Sequence, residues 1–302
     1  MQIKYTFLLK ILMVKYMKHE IDLSKYNYYT DLALESIKNT GIKKVKKNRK
    51  KYDDIIITNI YLDESNSKLL GKKQGNYTTI EFNDASDKEN IKKIINILTK
   101  ELKKYIKVSK DELILVVGLG NLESTPDSLG PKVVDNITIT NHIYELGLLD
   151  SNSNRVCSIC PGVSAKTGIE TSYIIESLVK KIKPNLILVI DSLASSSIDR
   201  LNKTIQITDT GINPGSGIGN KRKEISINTL HIPVIAIGIP TVVSMSNIVY
   251  EILNNINGKY NDKRLQELLD SYDLVITQVE IDYIIENLTK ILSTSINNIF
   301  KD

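Results

Sequence analysis

Residues 186–191 read LILVID, five apolar residues rich in β-branching closed by a single carboxylate, Asp191. So continuous a run reads as a β-strand covered on both faces, the kind that builds parallel sheets. Three more runs share this character: residues 55–62 (IIITNIYL), 113–119 (LILVVGL) and 234–239 (VIAIGI). Residues 156–160 and 204–208 are shorter candidates. Helical periodicity fits residues 88–107, 129–146, 170–183, 244–255 and 280–299. The alternation predicts an α/β fold with a mostly parallel open sheet and helices on both faces. Residues up to about 110 are more charged and less regular, with an insertion-like hairpin near 65–82, and read as peripheral. The chemistry is expected in residues 113–243.

The chain has 302 residues, 41% hydrophobic and 25% charged. That mixture supports a large buried core and excludes disordered, collagenous and multi-span membrane classes. Two cysteines, Cys157 and Cys160, cannot staple a fold of this size, and their scarcity fits a reducing compartment. The net charge is +5. Seven of the positives fall within residues 43–51, and without them the balance turns negative, so a general role on nucleic acid is not expected. The run itself reads as a solvated loop or a helix end. Near the N-terminus, FLLKILMV (residues 7–14) is split by Lys10 and closed by lysines. No cleavage site follows it and no segment has membrane-spanning length, so a cytoplasmic protein with a dispensable or processed leader is expected.

Several familiar sites are excluded by spacing. Gly118 and Gly120 follow a strand, but Glu123 stands where a dinucleotide fingerprint needs its third glycine. The loop of Gly215, Gly217 and Gly219 leads into Asn220, Lys221, Arg222 and Lys223 and lacks the Gly-Lys-Ser/Thr of a phosphate loop. Its cations could still grip acidic side chains of a substrate, with Arg222 offering a bidentate fork. Cys157 and Cys160 supply two of the four ligands a structural zinc needs. Three dispersed histidines form no peptidase zinc motif, and Lys166 breaks a nucleophile elbow at Ser164. The segment from Thr167 to Glu170 reads as a capping box.

Carboxylates are better placed. Asp191 closes LILVI, and Asp127 lies in the loop between the LILVVGL strand and the helix opening near Leu129. Parallel strands would bring both to the carboxyl edge of the sheet, where open α/β folds carry their sites. Two carboxylates in a partly dry cleft cannot both ionise cheaply, so the pair can supply an acid and a base near neutral pH. The alternatives are a capping role for Asp127 and a strand-end turn for Asp191.

Longer segments carry a resemblance. Residues 117–131 (VGLGNLESTPDSLGP), 161–172 (PGVSAKTGIETS), 190–219 (IDSLASSSIDRLNKTIQITDTGINPGSGIG) and 232–243 (IPVIAIGIPTVV) resemble the germination proteases, spore endopeptidases that degrade small acid-soluble spore proteins. Residues 30–35 (TDLALE) and 275–282 (VITQVEID) extend the likeness towards both ends. The resemblance implies a fold akin to hydrogenase maturation peptidases, a homotetramer, and a zymogen that removes its own leader. It also implies Asp127 and Asp191 as the catalytic pair, in an atypical aspartic or a metal-type peptidase. No cofactor is demanded; the same two aspartates could instead ligate a divalent metal. Family cleavage follows an acidic residue, with an apolar and then a small residue after it; Glu20-Ile21 fits the first two requirements, with Asp22 in place of the small residue, and is the processing site the resemblance implies. Residues 1–20 are then a leader whose Phe7, Leu8, Ile11 and Leu12 form an amphipathic stripe suited to covering the cleft. The resemblance further implies that residues 21–302 are a single peptidase domain working in the cytoplasm of the spore core, with Lys221, Arg222 and Lys223 expected to select acidic-site substrates. A non-catalytic binder of acidic spore proteins, using residues 43–51 and 221–223, is the rival from another class.

Overall fold

The computed structural model describes residues 30–42, 45–148, 153–218, 222–255, 269, 271–272 and 274–301. The elements in chain order are α1 (Ala33–Thr40), β1 (Lys47–Tyr52), β2 (Ile55–Leu62), α2 (Glu64–Leu70), β3 (Gly75–Glu81), α3 (Lys88–Tyr105), β4 (Leu113–Gly118), α4 (Leu129–Asp135), α5 (Asn141–Glu145) and β5 (Arg155–Ile159). They continue with α6 (Ser164–Thr167), α7 (Thr171–Ile182), β6 (Leu186–Ser195), β7 (Thr204–Thr208), α8 (Ile227–Leu230), β8 (Val234–Ser244), α9 (Met245–Asn255), β9 (Val275–Ile276) and α10 (Ile281–Lys301). One sheet runs β1-β2-β3-β7-β8-β6-β4-β5, with β9 on β8. Strands β5, β4, β6 and β8 are mutually parallel and carry the site, whereas the pairings from β8 through β7 to β1 are antiparallel.

Period-two alternation along the central strands explains the two helical layers. Ile114 and Val116 of β4, with Leu188 and Ile190 of β6, face a core built by α3, α4 and α10. Leu115 and Val117, with Ile187 and Val189, face α7 through Ile175 and Val179. Helix α10 buries Ile281, Ile285, Leu288, Leu292, Ile296 and Ile299, a stripe spaced by three and four residues. Burying each such side chain contributes about 1.5–3 kcal/mol. Helix α3 starts where Asp87 accepts hydrogen bonds from the N–H groups of Glu89 and Asn90.

Four expectations are corrected. Most of the basic run is neither loop nor helix end: its residues 47–51 belong to edge strand β1, every side chain of which is exposed, a lysine-rich guard against edge-to-edge pairing. Residues 65–82 form no insertion-like hairpin, because α2 and then β3 join β2 to β7, and α3 packs into the main core. The helix expected over 129–146 breaks in two at the β-branched stretch 137–140. There the Thr140 hydroxyl donates to the Asn154 carbonyl at 2.5 Å and accepts from the Val156 N–H at 2.9 Å, pulling the chain onto β5. The capping box is absent: Thr167 ends α6, and Glu170 precedes α7 with no side-chain capping bond.

Candidate active site

Strand β4 pairs with β6 only as far as Gly118 opposite Ile190, closed by the Leu119 N–H to the Ile190 carbonyl at 2.8 Å. Asp191 is the next residue, so β6 loses its neighbour at that carboxylate. On its other side β6 continues along β8, Asp191 opposite Gly238, through Ser195. Asp191 is therefore inside a strand and not at a strand-end turn, while it still opens above the carboxyl end of β4. It lies on the same row as Ile187 and Val189, facing the α7 layer, and it is 5% exposed.

Asp127 closes a short 3-10 turn, Thr125–Asp127. Its N–H reaches the Ser124 carbonyl at 2.8 Å, its carbonyl accepts from the Asn121 N–H at 3.0 Å, and Thr241 on β8 donates to the Pro126 carbonyl at 2.7 Å. The turn is thus tied to β8 as well as to its own loop. Gly120 has φ +117, and a Cβ there would collide with the Asp127 carbonyl. Gly118 and Gly130 let β4 and α4 pass backbone to backbone, since a Cβ on either would strike main-chain atoms of the other segment. That close passage accounts for glycine at 118. Helix α4 takes Ser128 as its N-cap without a side-chain bond, so Asp127 does not cap it.

Asp127 and Asp191 line one cleft of about 290 Å³, together with Asp31, Gly120, Ser192, Arg222, Thr241 and Val275. Burial pushes the Asp127 carboxyl up to about 6, opposed by the Asn121 N–H and by Arg222. Asp191 is raised well above the usual carboxylate range, by burial first and then by the charges of Asp127 and Asp31, against the Ser192 N–H and Arg222. The pair therefore titrates as a unit, with one proton held long after ordinary carboxylates have lost theirs.

The cations expected beside the cleft divide. Arg222 lines it and acts on both aspartates. Lys223 instead lies over the Tyr173 ring at 4.6 Å, on α7. Lys221, Glu20 and Ile21 lie outside the described residues, as do Lys43 and Lys44. Lys166 pairs with Glu123 and is not directed at Ser164. Cys157 and Cys160 are free, with thiols pushed up to about 11 by burial, so neither is a thiolate at neutral pH. Asp31 joins the cleft from 160 residues upstream of Asp191; the only signal for it in the sequence is its place in the TDLALE stretch.

Among the described residues no group of three or more His, Cys, Asp and Glu side chains could hold a metal ion. Both Asp31 oxygens are engaged, one by the Ala194 N–H and one by the Ser216 hydroxyl. Among the described residues the cleft thus offers carboxylates already engaged in hydrogen bonds and no third ligand group of the usual metal-binding kind.

Proton affinities raised by folding have a consequence for stability. Each carboxyl binds its proton more tightly in the folded chain than in the unfolded one, so the protonated pair stabilises the fold fully at acid pH. That stabilisation is lost as pH rises through the folded values. At pH 7.5 Asp127→Asn and Asp191→Asn should therefore melt about 2–4 °C above the parent chain, and the gap should close at pH 4. Thermal melts at the two pH values decide it; variants that melt lower at pH 7.5 would show the carboxylates to be stabilising anions instead.

A cleft with two carboxyls whose proton affinity burial raises, and which share one proton, is the equipment of an acid–base hydrolase. Comparison with known proteins narrows that class. The family model described as germination protease matches residues 27–267. Germination protease of Bacillus cytotoxicus is 45% identical over 255 residues, covering 80% of this chain and 70% of that protein. Those of Bacillus thuringiensis subsp. konkukian and Bacillus anthracis are 44% identical, with the same coverage of both chains. A crystal structure of the NiFe hydrogenase maturation protease HycI from Thermococcus kodakarensis KOD1 aligns over 67% of this chain and 99% of its own, at 15% identity and a TM-score of 0.38. The chain belongs to the germination protease family, and is thereby an endopeptidase of spore germination with proteins as substrates. Among the described residues no helix is long and apolar enough to cross a membrane.

Proposed function

We propose that Asp127 and Asp191 are the catalytic acid–base pair of this endopeptidase. The observation that carries this reading is their convergence in one cleft with the Arg222 guanidinium among its lining residues. Asp127, the more exposed of the two, is the carboxylate at neutral pH and takes a proton from the attacking water. Asp191, more deeply buried, keeps its proton, polarises the scissile carbonyl and then protonates the leaving amide nitrogen. The proton gained by Asp127 restores Asp191 as the products leave, so the pair returns to its starting state.

The substrates are small acid-soluble spore proteins, cut after an acidic residue, with Arg222 as the group that meets the acidic side chain. The chain is made as a zymogen that removes residues 1–20 between Glu20 and Ile21, leaving residues 21–302 as one peptidase unit. It works as a homotetramer in the spore core. These finer assignments rest on the family likeness and on the position of Arg222.

The test is substrate selection. On a peptide carrying Glu-Ile-Ala, Arg222→Gln should raise KM about tenfold or more, and on the Gln-Ile-Ala analogue far less, because only the first loses a charge-assisted pair. Lys223→Gln, whose ammonium sits over Tyr173, should change neither. Equal effects of Arg222→Gln on both peptides would remove it from recognition of the acidic side chain.

A further inference from the structure

We propose that Asp31 is a positioning residue for the Asp127/Asp191 pair: seated against the bulged end of β6 and held by Ser216, its carboxylate forms the anionic wall of the catalytic cleft. This deepens the acid–base reading above and rests on it.

The seat is built from several independent contacts. The Asp31 N–H donates to the Ala194 carbonyl at 2.9 Å, and its Oδ2 accepts from the Ala194 N–H at 2.9 Å, so one residue completes both hydrogen bonds of Ala194. That is the point where the register of β6 on β8 shifts, between Leu193 and Ala194. Oδ1 accepts from the Ser216 hydroxyl at 2.6 Å, and the Asp31 carbonyl accepts from Gln206 on β7 at 3.2 Å. Gly217 is packed so closely on the carboxylate that a Cβ there would collide with Oδ2. Three residues from this anchor lies Asp191, joined to it through Leu193 and Ser192 along the same strand.

The neighbourhood is charged from both sides. Asp191, Arg222 and Asp127 line the same cleft as Asp31. On the other side Lys72, half-buried, donates from Nζ to the Thr30 carbonyl at 2.7 Å and feels both Asp31 and Glu35. Glu35 itself is occupied, accepting from the Ser196 N–H at 2.6 Å and from the Thr30 hydroxyl at 2.5 Å. An anchor needed only to tie α1 to β6 would not require a carboxylate that is exposed to the cleft and felt at Asp191. The charge of Asp31 is among those that raise the proton affinity of Asp191. It is therefore expected to keep Asp191 protonated, as the acid, further into the alkaline range.

The experiment is the pH profile of kcat/KM on a Glu-Ile-Ala peptide, measured with the full chain after processing. Asp31→Asn keeps an acceptor for the Ala194 N–H and removes the charge. Its alkaline limb should move to lower pH by about 0.5 unit or more while the acid limb stays in place. Asp31→Glu, which keeps the charge, should restore the limb even if kcat falls. A profile of Asp31→Asn that superimposes on the parent overturns the proposal. If Asp31→Asn does not fold, Gly217→Ala decides: it displaces the carboxylate from its seat, and an unmoved alkaline limb in that variant overturns the proposal equally. Asp127→Asn and Asp191→Asn measured alongside keep the two readings separate, since their loss of activity with an unmoved Asp31→Asn limb rejects the role of Asp31 alone.

Discussion

Asp127→Asn and Asp191→Asn should each cut peptide at least about a hundredfold more slowly than the parent chain, the cost of removing a group that moves a proton in the transition state. The substitutions change charge with little change in volume. Among the described residues neither side chain makes an ion pair that would be broken, and Asn can still accept from the Ser192 N–H as Asp191 does at 2.9 Å. A loss of rate in a chain that melts as high as the parent, or higher, is therefore a loss of chemistry and not of fold. The double variant should be no worse than about the poorer single one, because the two groups act as one proton-holding unit. Independent, multiplicative losses would mean that the aspartates serve separate steps.

Gly120→Ala should be nearly as damaging to activity, by a different route. The backbone at φ +117 is strained for any L side chain, at a cost of about 1–3 kcal/mol. The added methyl also meets the Asp127 carbonyl, which the Asn121 N–H holds at 3.0 Å. The turn has to move, and a displacement of about 1 Å in a catalytic group can cost about a hundredfold in rate. Gly168→Ala is the control: it also has a positive φ, +69, but nothing lies within 4 Å of a Cβ there. It should lose stability while kcat holds. Urea unfolding together with kcat separates the two cases, and equal effects of both substitutions on kcat would show that Asp127 is not held by this turn.

Much of the site was legible because its carriers have strong local signals. LILVVGL and LILVI are buried on both faces, and apolar continuity alone marks them as central strands; Asp191 and the Asp127 loop follow from where those runs stop. The extension of β6 beyond Ile190 was not legible, since residues 191–195 (DSLAS) are, apart from Leu193, polar or small and owe their strand geometry to pairing with β8 up to Val243. Strand β1 was hidden for a similar reason: KNRKKY has neither alternation nor apolar residues to bury, and only the ladder from Lys47 to Tyr52 against Ile60 to Ile55 makes it a strand. Asp31 could not be placed from local pattern at all. Its contacts are with Ala194, Gln206 and Ser216, and nothing within its own segment announces a fold-back over that distance. Arg222 and Lys223 look equivalent in sequence, yet the ring of Tyr173 draws one to α7 while the other faces the aspartates.

The most direct measurement is mass spectrometry of a Glu-Ile-Ala peptide incubated with the processed parent chain, Asp127→Asn and Asp191→Asn between pH 4 and 9. A paired-carboxylate endopeptidase predicts one cut, after Glu, by the parent chain, with the rate climbing as pH rises through about 6, where burial has placed the Asp127 carboxyl. It also predicts almost no product from either variant at any pH. Cleavage by either variant at close to the parental rate would contradict the assignment of the site.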